Sequence, residues 1–201
     1  MLDLEKILGF VRVPNQFQRV ERMVRANSEN RWENDVEHSY NLAMLAWYIV
    51  NQHNLPLNRE RVITYALVHD FVEVYAGDTY IYTTNEWEKE SKSVREKVAA
   101  VRLQKEFAEF TDLHGLIEKY EKREDAEARF VYALDKIHPI LNIYTDGGRT
   151  WREKGITIEM LAENKRKKVA ASSEIAACFD EIIALLRLEE KRLFTEEVEE
   201  A

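Results

Sequence analysis

Histidine and acidic residues that suit metal-ion chemistry are concentrated in one short stretch of the chain. His69 and Asp70 are adjacent, Glu73 follows three residues later, and Asp78 comes directly after Gly77. An imidazole with a carboxylate is a mixed donor set that suits first-row ions such as Mn²⁺, Co²⁺ or Zn²⁺. Buried charge at the end of an apolar segment is costly unless a metal or another partner compensates it. The stretch therefore predicts part of a metal site whose remaining ligands lie elsewhere.

The elements that must position these ligands are predicted to be buried helices. Asn34 with Glu37 three residues later is typical of a capping box, so a helix begins there. Apolar residues cover most of its circumference, which indicates a central helix, and His38 lies in its first turn. Taken singly, such a histidine is more often a hydrogen-bonded core residue than a ligand. Asn58 predicts the start of the next buried helix.

This second helix leads into the His69-Asp70 pair. Glu73 lies one helical turn beyond both residues, so all three side chains are expected to face one cavity. Gly77 suits the end of the helix and leaves Asp78 on the loop at the cavity mouth. Two structural alternatives stay open: Glu73 as a cap or an arginine partner, and Asp78 as the start of the next turn.

A helix predicted over residues 124–144 supplies the remaining carboxylate. Asp135 lies beside its core stripe and therefore needs a partner, which a metal can provide. His138 is expected to have a packing or ligand-supporting role, and Pro139 predicts a kink or an end of the helix. Together, His38, His69, Asp70 and Asp135 offer two imidazoles and two carboxylates. That set suits one divalent ion with positions left for water and substrate, as in a hydrolytic centre.

Composition limits the fold and the function. A chain of 201 residues with 45% hydrophobic and 33% charged residues, six Gly and three Pro is expected to be one all-α domain over residues 1–201. A net charge of −8 argues against binding a nucleic acid polymer. The longest apolar run, residues 42–50, is too short to cross a membrane, and no signal-peptide pattern is present. The single cysteine, Cys178, is expected to pack rather than react. A cytoplasmic protein is expected.

Three further segments carry less information. Residues 1–25 fit two short helices, and the basic residues of the second, Arg19, Arg22 and Arg25, are interpreted as a solvated face. Residues 86–110 predict a long amphipathic helix whose inner face comprises Val94, Val98, Val101 and Phe107. Residues 157–194 predict a final helix or a broken pair that covers the bundle, and the basic run 164–168 is interpreted as solvated.

The spacing of the ligands resembles that of a known family. His38, His69-Asp70 and Asp135 match the four-ligand signature of the HD-domain phosphohydrolase superfamily. A finer pattern is similar to its bacterial 5′-deoxynucleotidase (YfbR-like) branch: Glu33-Asn34-x-x-Glu37-His38-Ser39, His69-Asp70-x-x-Glu73-x-x-x-Gly77-Asp78 and Leu134-Asp135-Lys136. The match covers about residues 25–145, and helices over residues 157–195 are expected to pack on that part.

The resemblance implies an all-helical HD bundle with the metal site at its centre. It implies a metal-dependent 5′-nucleotidase, a phosphomonoesterase that acts on nucleoside or deoxynucleoside monophosphates, usually as a homodimer or higher oligomer. Co, Mn, Mg or Zn would be held by His38, His69, Asp70 and Asp135. Glu73 would orient or deprotonate the attacking water.

The same resemblance assigns substrate contacts to Asp78 and to Arg31, seven residues before the first ligand. The branch carries an Arg-Trp pair where this chain has Met23-Val24, so the base and the sugar are not predicted. Two alternatives to a monophosphatase remain. One is an HD-type nucleoside triphosphate hydrolase, and the other is a non-catalytic helical module that binds nucleotide or metal.

Overall fold

The computed structural model describes residues 2–195, except for the side chain of Lys89. Within these residues the helices are α1 (Leu4–Phe17), α2 (Asp35–Gln52), α3 (Arg59–Val68), α4 (Glu73–Ala76), α5 (Glu86–Glu106), α6 (Thr111–Lys122), α7 (Ala126–Thr145), α8 (Arg149–Lys154), α9 (Ile158–Val169), α10 (Ser173–Leu188) and α11 (Glu190–Phe194). Two short strands, β1 (Glu21–Arg25) and β2 (Trp32–Asn34), precede α2. The predicted all-α class is confirmed, with this small hairpin added.

The N-terminal part differs from the prediction of two short helices. Helix α1 continues through Pro14 as one element, and residues 21–25 form a strand instead of a second helix. Strand β1 pairs antiparallel with β2, with an irregular register between its ends. Since side chains alternate along a strand, Arg22 and Arg25 do not share one solvated face. Arg25 lies over the Trp32 ring, whereas Arg22 enters the interior.

Helices α2, α3 and α7 form the main hydrophobic core. The predicted starts of α2 and α3 are confirmed, because Asn34 makes the full capping box with Glu37 and Asn58 caps α3. Apolar side chains from the three helices are fully buried in one cluster, among them Leu42, Ala46, Val62, Tyr65, Leu134 and Ile137. The three helices that carry the predicted ligands therefore pack directly on one another.

The segment around the His69-Asp70 pair is tighter than a continuous helix. Helix α3 ends at Val68, and three-residue turns follow, in which Phe71 N donates to Val68 O and Glu73 N to Asp70 O. Helix α4 then runs for one turn and ends at Gly77, whose φ of +71° favours glycine. The break aims His69 and Asp70 at the same interior point.

Helix α5 has a different inner face from the predicted one. Val94, Val98 and Val101 are at least half exposed, so their assignment to the inner face was wrong. The residues that face inward recur at helical spacing and comprise Lys92, Arg95, Ala99 and Leu103. The polar members of this stripe form ion pairs and hydrogen bonds with residues 73–79 instead of packing in an apolar core. Arg95, for example, donates to the Ala76 carbonyl and the Thr79 hydroxyl.

The last third of the chain covers the bundle. Helix α7 runs through Pro139 to Thr145, so the proline does not end it. Helices α9 and α10 bury apolar residues in the main core cluster, whereas Met160 of α9 is exposed. The basic run of α9 is not uniformly solvated, because Lys165 is buried. None of the helices described in residues 2–195 has the length and hydropathy needed to cross a bilayer.

Candidate metal centre

The structure brings the four predicted ligands together. His38 comes from the first turn of α2, His69 and Asp70 from the turn after α3, and Asp135 from the middle of α7. One donor atom from each residue lies within 4.8 Å of all the others. Nε2 of His38 is 3.0 Å from Asp135 Oδ1, and Nε2 of His69 is 3.0 Å from Asp70 Oδ2. The four side chains thus enclose one point.

The protonation of His69 shows that this point requires a cation. Its Nδ1 lies 2.9 Å from the Ala66 carbonyl, which can only accept, so Nδ1 carries the proton. Nε2 then presents a lone pair towards the carboxylates of Asp70 and Asp135, and it has no hydrogen-bond partner among the described residues. A lone pair facing two carboxylates is repulsive unless a metal ion or a proton lies between them.

The ionisation of the ligands agrees with this requirement. Burial lowers the pKa of His69, but the carboxylates of Asp70 and Asp135 outweigh it and raise that pKa to about 10. Burial raises the pKa of Asp135, but Lys136, His38 and His69 outweigh it and hold that pKa well below its usual range. Both carboxylates stay charged, and a positive charge is favoured at the point they enclose.

His138 supports His38. The two Nδ1 atoms lie 3.2 Å apart, and burial lowers the pKa of both imidazoles, to about 4 for His138. Both rings are therefore neutral, and one Nδ1 donates to the other. When His38 is the donor, its Nε2 offers a lone pair to a metal. The imidazoles of His38 and His69 and the two carboxylates fit a divalent metal ion, which would take the place of a proton at His69 Nε2; the set does not fix the identity of the metal.

Arg22 is a functional residue that the sequence reasoning did not single out. Its Nη1 lies 2.9 Å from both Asp35 Oδ1 and Asp70 Oδ2. Oxygens of Asp35, Asp70 and Glu73 lie within 4.8 Å of one another, and Arg22 is the cation that contacts the two aspartates of this second acidic group. Burial raises the pKa of Asp35 to about 7 even with the guanidinium in contact. The signal that could have found Arg22 is an arginine close in sequence to a buried aspartate.

The centre opens into a cavity of about 140 Å³. Glu73 is buried in its wall; Oε1 lies 3.6 Å from Lys92 Nζ, and Oε2 has no hydrogen-bond partner within residues 2–195. Burial, reinforced by nearby carboxylates, raises the pKa of Glu73. Asp78 lies at the same wall, and burial raises its pKa too. Glu73, the predicted catalytic carboxylate, and Asp78, the predicted substrate-binding residue, therefore line the same cavity as the candidate metal ligands Asp70 and Asp135.

Apolar and aromatic residues line another part of the cavity wall. This part comes from β1, the loop after Gly77, and helices α7 to α9, and its larger side chains include Tyr80, Tyr82, Ile143 and Trp151. Trp151 Nε1 and the Tyr82 hydroxyl have no hydrogen-bond partner among the described residues. A flat, partly polar ligand fits such surroundings.

Arg31 is not part of this cavity. It is partly exposed and forms a bidentate pair with Glu37, at 2.6 and 2.8 Å. This pair raises the pKa of Arg31 and lowers that of Glu37. Arg31, predicted to contact substrate, therefore lies outside the cavity that Glu73 and Asp78 line.

Comparison with known proteins identifies the class. The HD domain family model matches residues 15–176. The chain therefore belongs to the HD-domain family. Its structure is similar to that of a predicted metal-dependent phosphohydrolase from Magnetospirillum magnetotacticum MS-1, with a TM-score of 0.79, 28% identity and 96% of each chain covered. A conserved hypothetical protein from Pyrococcus furiosus shares the fold, with a TM-score of 0.58, 20% identity, and 92% of this chain and 99% of that chain covered.

Curated relatives carry a more specific name. The chain is 35% identical over 139 residues to 5′-deoxynucleotidase HDDC2 from Homo sapiens, which covers 67% of this chain and 65% of that protein. The protein of the same name from Danio rerio is 30% identical over 145 residues, with 70% of each chain covered. The matched region thus spans about 65% of the length of the human relative.

Proposed function

We propose that this protein is a metal-dependent phosphohydrolase that removes the 5′-phosphate from nucleoside or deoxynucleoside monophosphates. One observation carries the proposal. Two imidazoles and two carboxylates converge at the wall of a cavity that is also lined by cations in contact with the acidic residues and by aromatic side chains. A phosphate and a base need these two environments side by side. The resemblance to proteins named 5′-deoxynucleotidase supports the same substrate class.

The ligand residues set the position of the phosphate. A divalent ion, with Co, Mn, Mg and Zn as candidates, would stabilise charge on the phosphoryl oxygens and acidify water at this point. Arg22 fixes the orientation of Asp70 through the 2.9 Å contact, so this ligand is held before substrate arrives. Lys136 contacts Asp135 in the same way and adds positive charge to the cavity wall.

Glu73 is proposed to hold the attacking water and accept its proton. The Lys92 amine restrains one of its oxygens, and the other is free to accept from water. A buried carboxylate beside other acids is more basic than an exposed one, which suits a general base at neutral pH. The oxygen of this water then attacks phosphorus, the bond from phosphorus to O5′ breaks, and O5′ takes up a proton, either the one that Glu73 accepted or one from solvent, so that inorganic phosphate and nucleoside are released.

Asp78 and the aromatic part of the cavity wall are proposed to receive the nucleoside. Asp78 lies on the loop that also carries Tyr80 and Tyr82, so one segment contacts both sugar and base. Met23 and Val24 line the cavity. The bacterial 5′-deoxynucleotidase branch that the sequence resembles has an Arg-Trp pair at these two positions. Apolar side chains there predict weaker discrimination between ribose and deoxyribose, because they make no hydrogen bond to the sugar hydroxyls.

Phosphate release from dAMP, AMP and dATP, measured side by side with each candidate metal, tests the proposal. Release from a monophosphate, lost in His69→Ala and Asp70→Asn, is the expected result. The exposed residues His53 and Asp112 supply matched controls, His53→Ala and Asp112→Asn, which should keep full activity. Activity confined to dATP would replace the proposal with a triphosphate hydrolase. Nucleotide binding without turnover under every metal would indicate a non-catalytic module.

Homodimerisation and a cytoplasmic location stay predictions. Size-exclusion chromatography with light scattering tests the first, and fractionation of the source cells tests the second. A monomer that keeps full phosphatase activity would remove the dimer from the proposal without affecting the chemistry.

A further inference from the structure

Lys165 occupies a core position of helix α9. The buried residues of this helix are Ile158, Leu161, Lys165 and Val169, which recur at three- and four-residue spacing. The other three are apolar and pack in the main core. A single amine therefore interrupts an otherwise apolar stripe, and the side chain lines the cavity beside the metal centre. Its residue is only 6% exposed.

The amine of Lys165 has no partner within residues 2–195, unlike the other cations of the cavity wall. Arg22 is paired with Asp35 and Asp70, Lys92 with Glu73, and Lys136 with Asp135. Nζ of Lys165 makes neither an ion pair nor a hydrogen bond in this part of the chain. A lysine that is this deeply buried and has no anionic partner is costly for the fold.

The surroundings do not relieve that cost. Burial, together with the positive charge of Lys136, lowers the pKa of Lys165 to about 7, and Asp135 opposes the shift only in part. Lys168, one turn along α9, is half-buried on the same side, and burial and Lys136 lower its pKa as well. The two lysines and Lys136 thus form a cationic group in which only Lys136 has an anionic partner within residues 2–195.

We propose that Lys165 binds the phosphoryl group of the substrate and supplies a hydrogen bond to an oxygen of that group. The ligand is a phosphate dianion, whether free or in an ester, since it provides the missing acidic partner. This inference rests on the proposed function for the identity of the substrate. It assigns a binding residue to helix α9, which lies beyond residues 25–145, the part of the chain that carries the motifs of the resemblance.

Titration of the metal-loaded protein with inorganic phosphate, followed by calorimetry, tests the proposal. Lys165→Met keeps the length of the side chain and removes the charge. We expect its phosphate Kd to rise on the order of tenfold to a hundredfold, as for the loss of a hydrogen bond to a charged group. Lys165→Arg should retain part of the affinity. The matched control is Lys167→Met, on the exposed side of α9, which should bind phosphate like the wild type.

A second readout separates binding from a structural role. Removal of an unpaired buried amine should raise the Tm of the metal-free protein, whereas removal of a structural lysine would lower it. A lower Tm for Lys165→Met, unchanged phosphate affinity, or no phosphate binding by the wild-type protein would each overturn the assignment. An equal loss of affinity for deoxyadenosine, which has no phosphate, would place Lys165 at the nucleoside and overturn it too.

The design also distinguishes this inference from the proposed function. Phosphate binding is measured without turnover. If Lys165→Met weakens phosphate binding but the wild-type protein hydrolyses no nucleotide, the proposed function fails and the phosphate assignment stands. If nucleotides are hydrolysed and Lys165→Met changes neither KM nor phosphate affinity, the proposed function stands and the phosphate assignment fails.

Discussion

The Nδ1 atoms of His38 and His138 lie 3.2 Å apart in the buried core, between helices α2 and α7. Both imidazoles are neutral, so only one of these nitrogens carries a proton. A metal at the Nε2 atom of His38 requires that this proton be on His38, with His138 as the acceptor. As the acceptor of that proton, His138 would hold His38 in the tautomer that binds a metal.

Replacement of His138 by leucine should weaken metal binding about 10- to 100-fold, the usual effect of losing the group that orients a ligand imidazole. His138→Asn should restore much of the affinity, because the amide oxygen can accept at the position of Nδ1. Competition against a metal-sensitive dye measures both. Equal affinities for the wild-type protein and His138→Leu would contradict the tautomer argument.

Arg22→Met should destabilise the metal-free protein by about 3–5 kcal/mol, because it leaves the buried Asp35 and Asp70 without their shared cation. Urea unfolding measures the change. Arg25→Met is the control from the same strand; its pair with Glu153 is partly exposed, so about 1 kcal/mol or less is expected. Addition of Asp35→Asn to Arg22→Met should recover stability, and failure to do so would show that Arg22 acts through packing alone.

The cluster of candidate ligands was predictable because each of its residues has a local signal. His38 follows a capping box, His69 and Asp70 end an apolar segment, and Asp135 lies beside a core stripe. Physical spacing thus located all four without the fold. The arginine at the site was not predictable in this way. Strand β1 has only five residues and an irregular register, so the alternating pattern of a strand is not visible in the sequence. The three-residue spacing of Arg19, Arg22 and Arg25 predicted a helix instead.

Two helices show why the remaining surfaces were harder to assign. In α5 the valines gave an apparent apolar stripe, but Ala99 and Leu103 are the buried residues. Small side chains and paired cations fit the narrow space beside α4, so hydrophobicity alone selected the wrong face. In α9 the period was visible in the sequence, with Lys165 on the stripe of Leu161 and Val169. The lysine was instead interpreted as part of the solvated basic run 164–168.

The stability gained by Lys165→Met should depend on pH. A free lysine has a pKa near 10.4, and the folded chain lowers that of Lys165 to about 7. Between these values the unfolded state binds more protons, so the wild-type protein becomes more stable as pH rises. The Tm advantage of Lys165→Met is therefore full below about pH 7 and shrinks towards pH 10.

Thermal unfolding of the metal-free wild-type and variant proteins at several pH values measures this difference. The charged groups around the amine are Asp135 and Lys136 from α7, Arg22 from β1 and Lys168 from α9 itself. They are common to both proteins, so their own titration largely cancels in the comparison. The exposed control Lys167→Met should give a difference that does not vary with pH. A variant advantage that grew with pH would contradict the burial of a charged amine.

Gly148→Ala should be strongly destabilising, while its neighbour tolerates the same change. A Cβ at position 148 would lie 2.1 Å from the Leu193 carbonyl oxygen, and φ is +81°. Gly147 also has a positive φ, of +68°, but nothing lies within 4 Å of its Cβ position, so Gly147→Ala should cost only about 1–2 kcal/mol.

The clash at Gly148 is with backbone, so α11 must move away from α8, and the buried Leu193 side chain loses its packing. Urea unfolding should show a loss at least 2 kcal/mol larger for Gly148→Ala, of the order found when a buried leucine loses its contacts. Since Trp151 of α8 lines the cavity, KM for the nucleotide should also rise in Gly148→Ala. Equal stabilities for the two alanine variants would contradict the close approach of Gly148 to the Leu193 backbone.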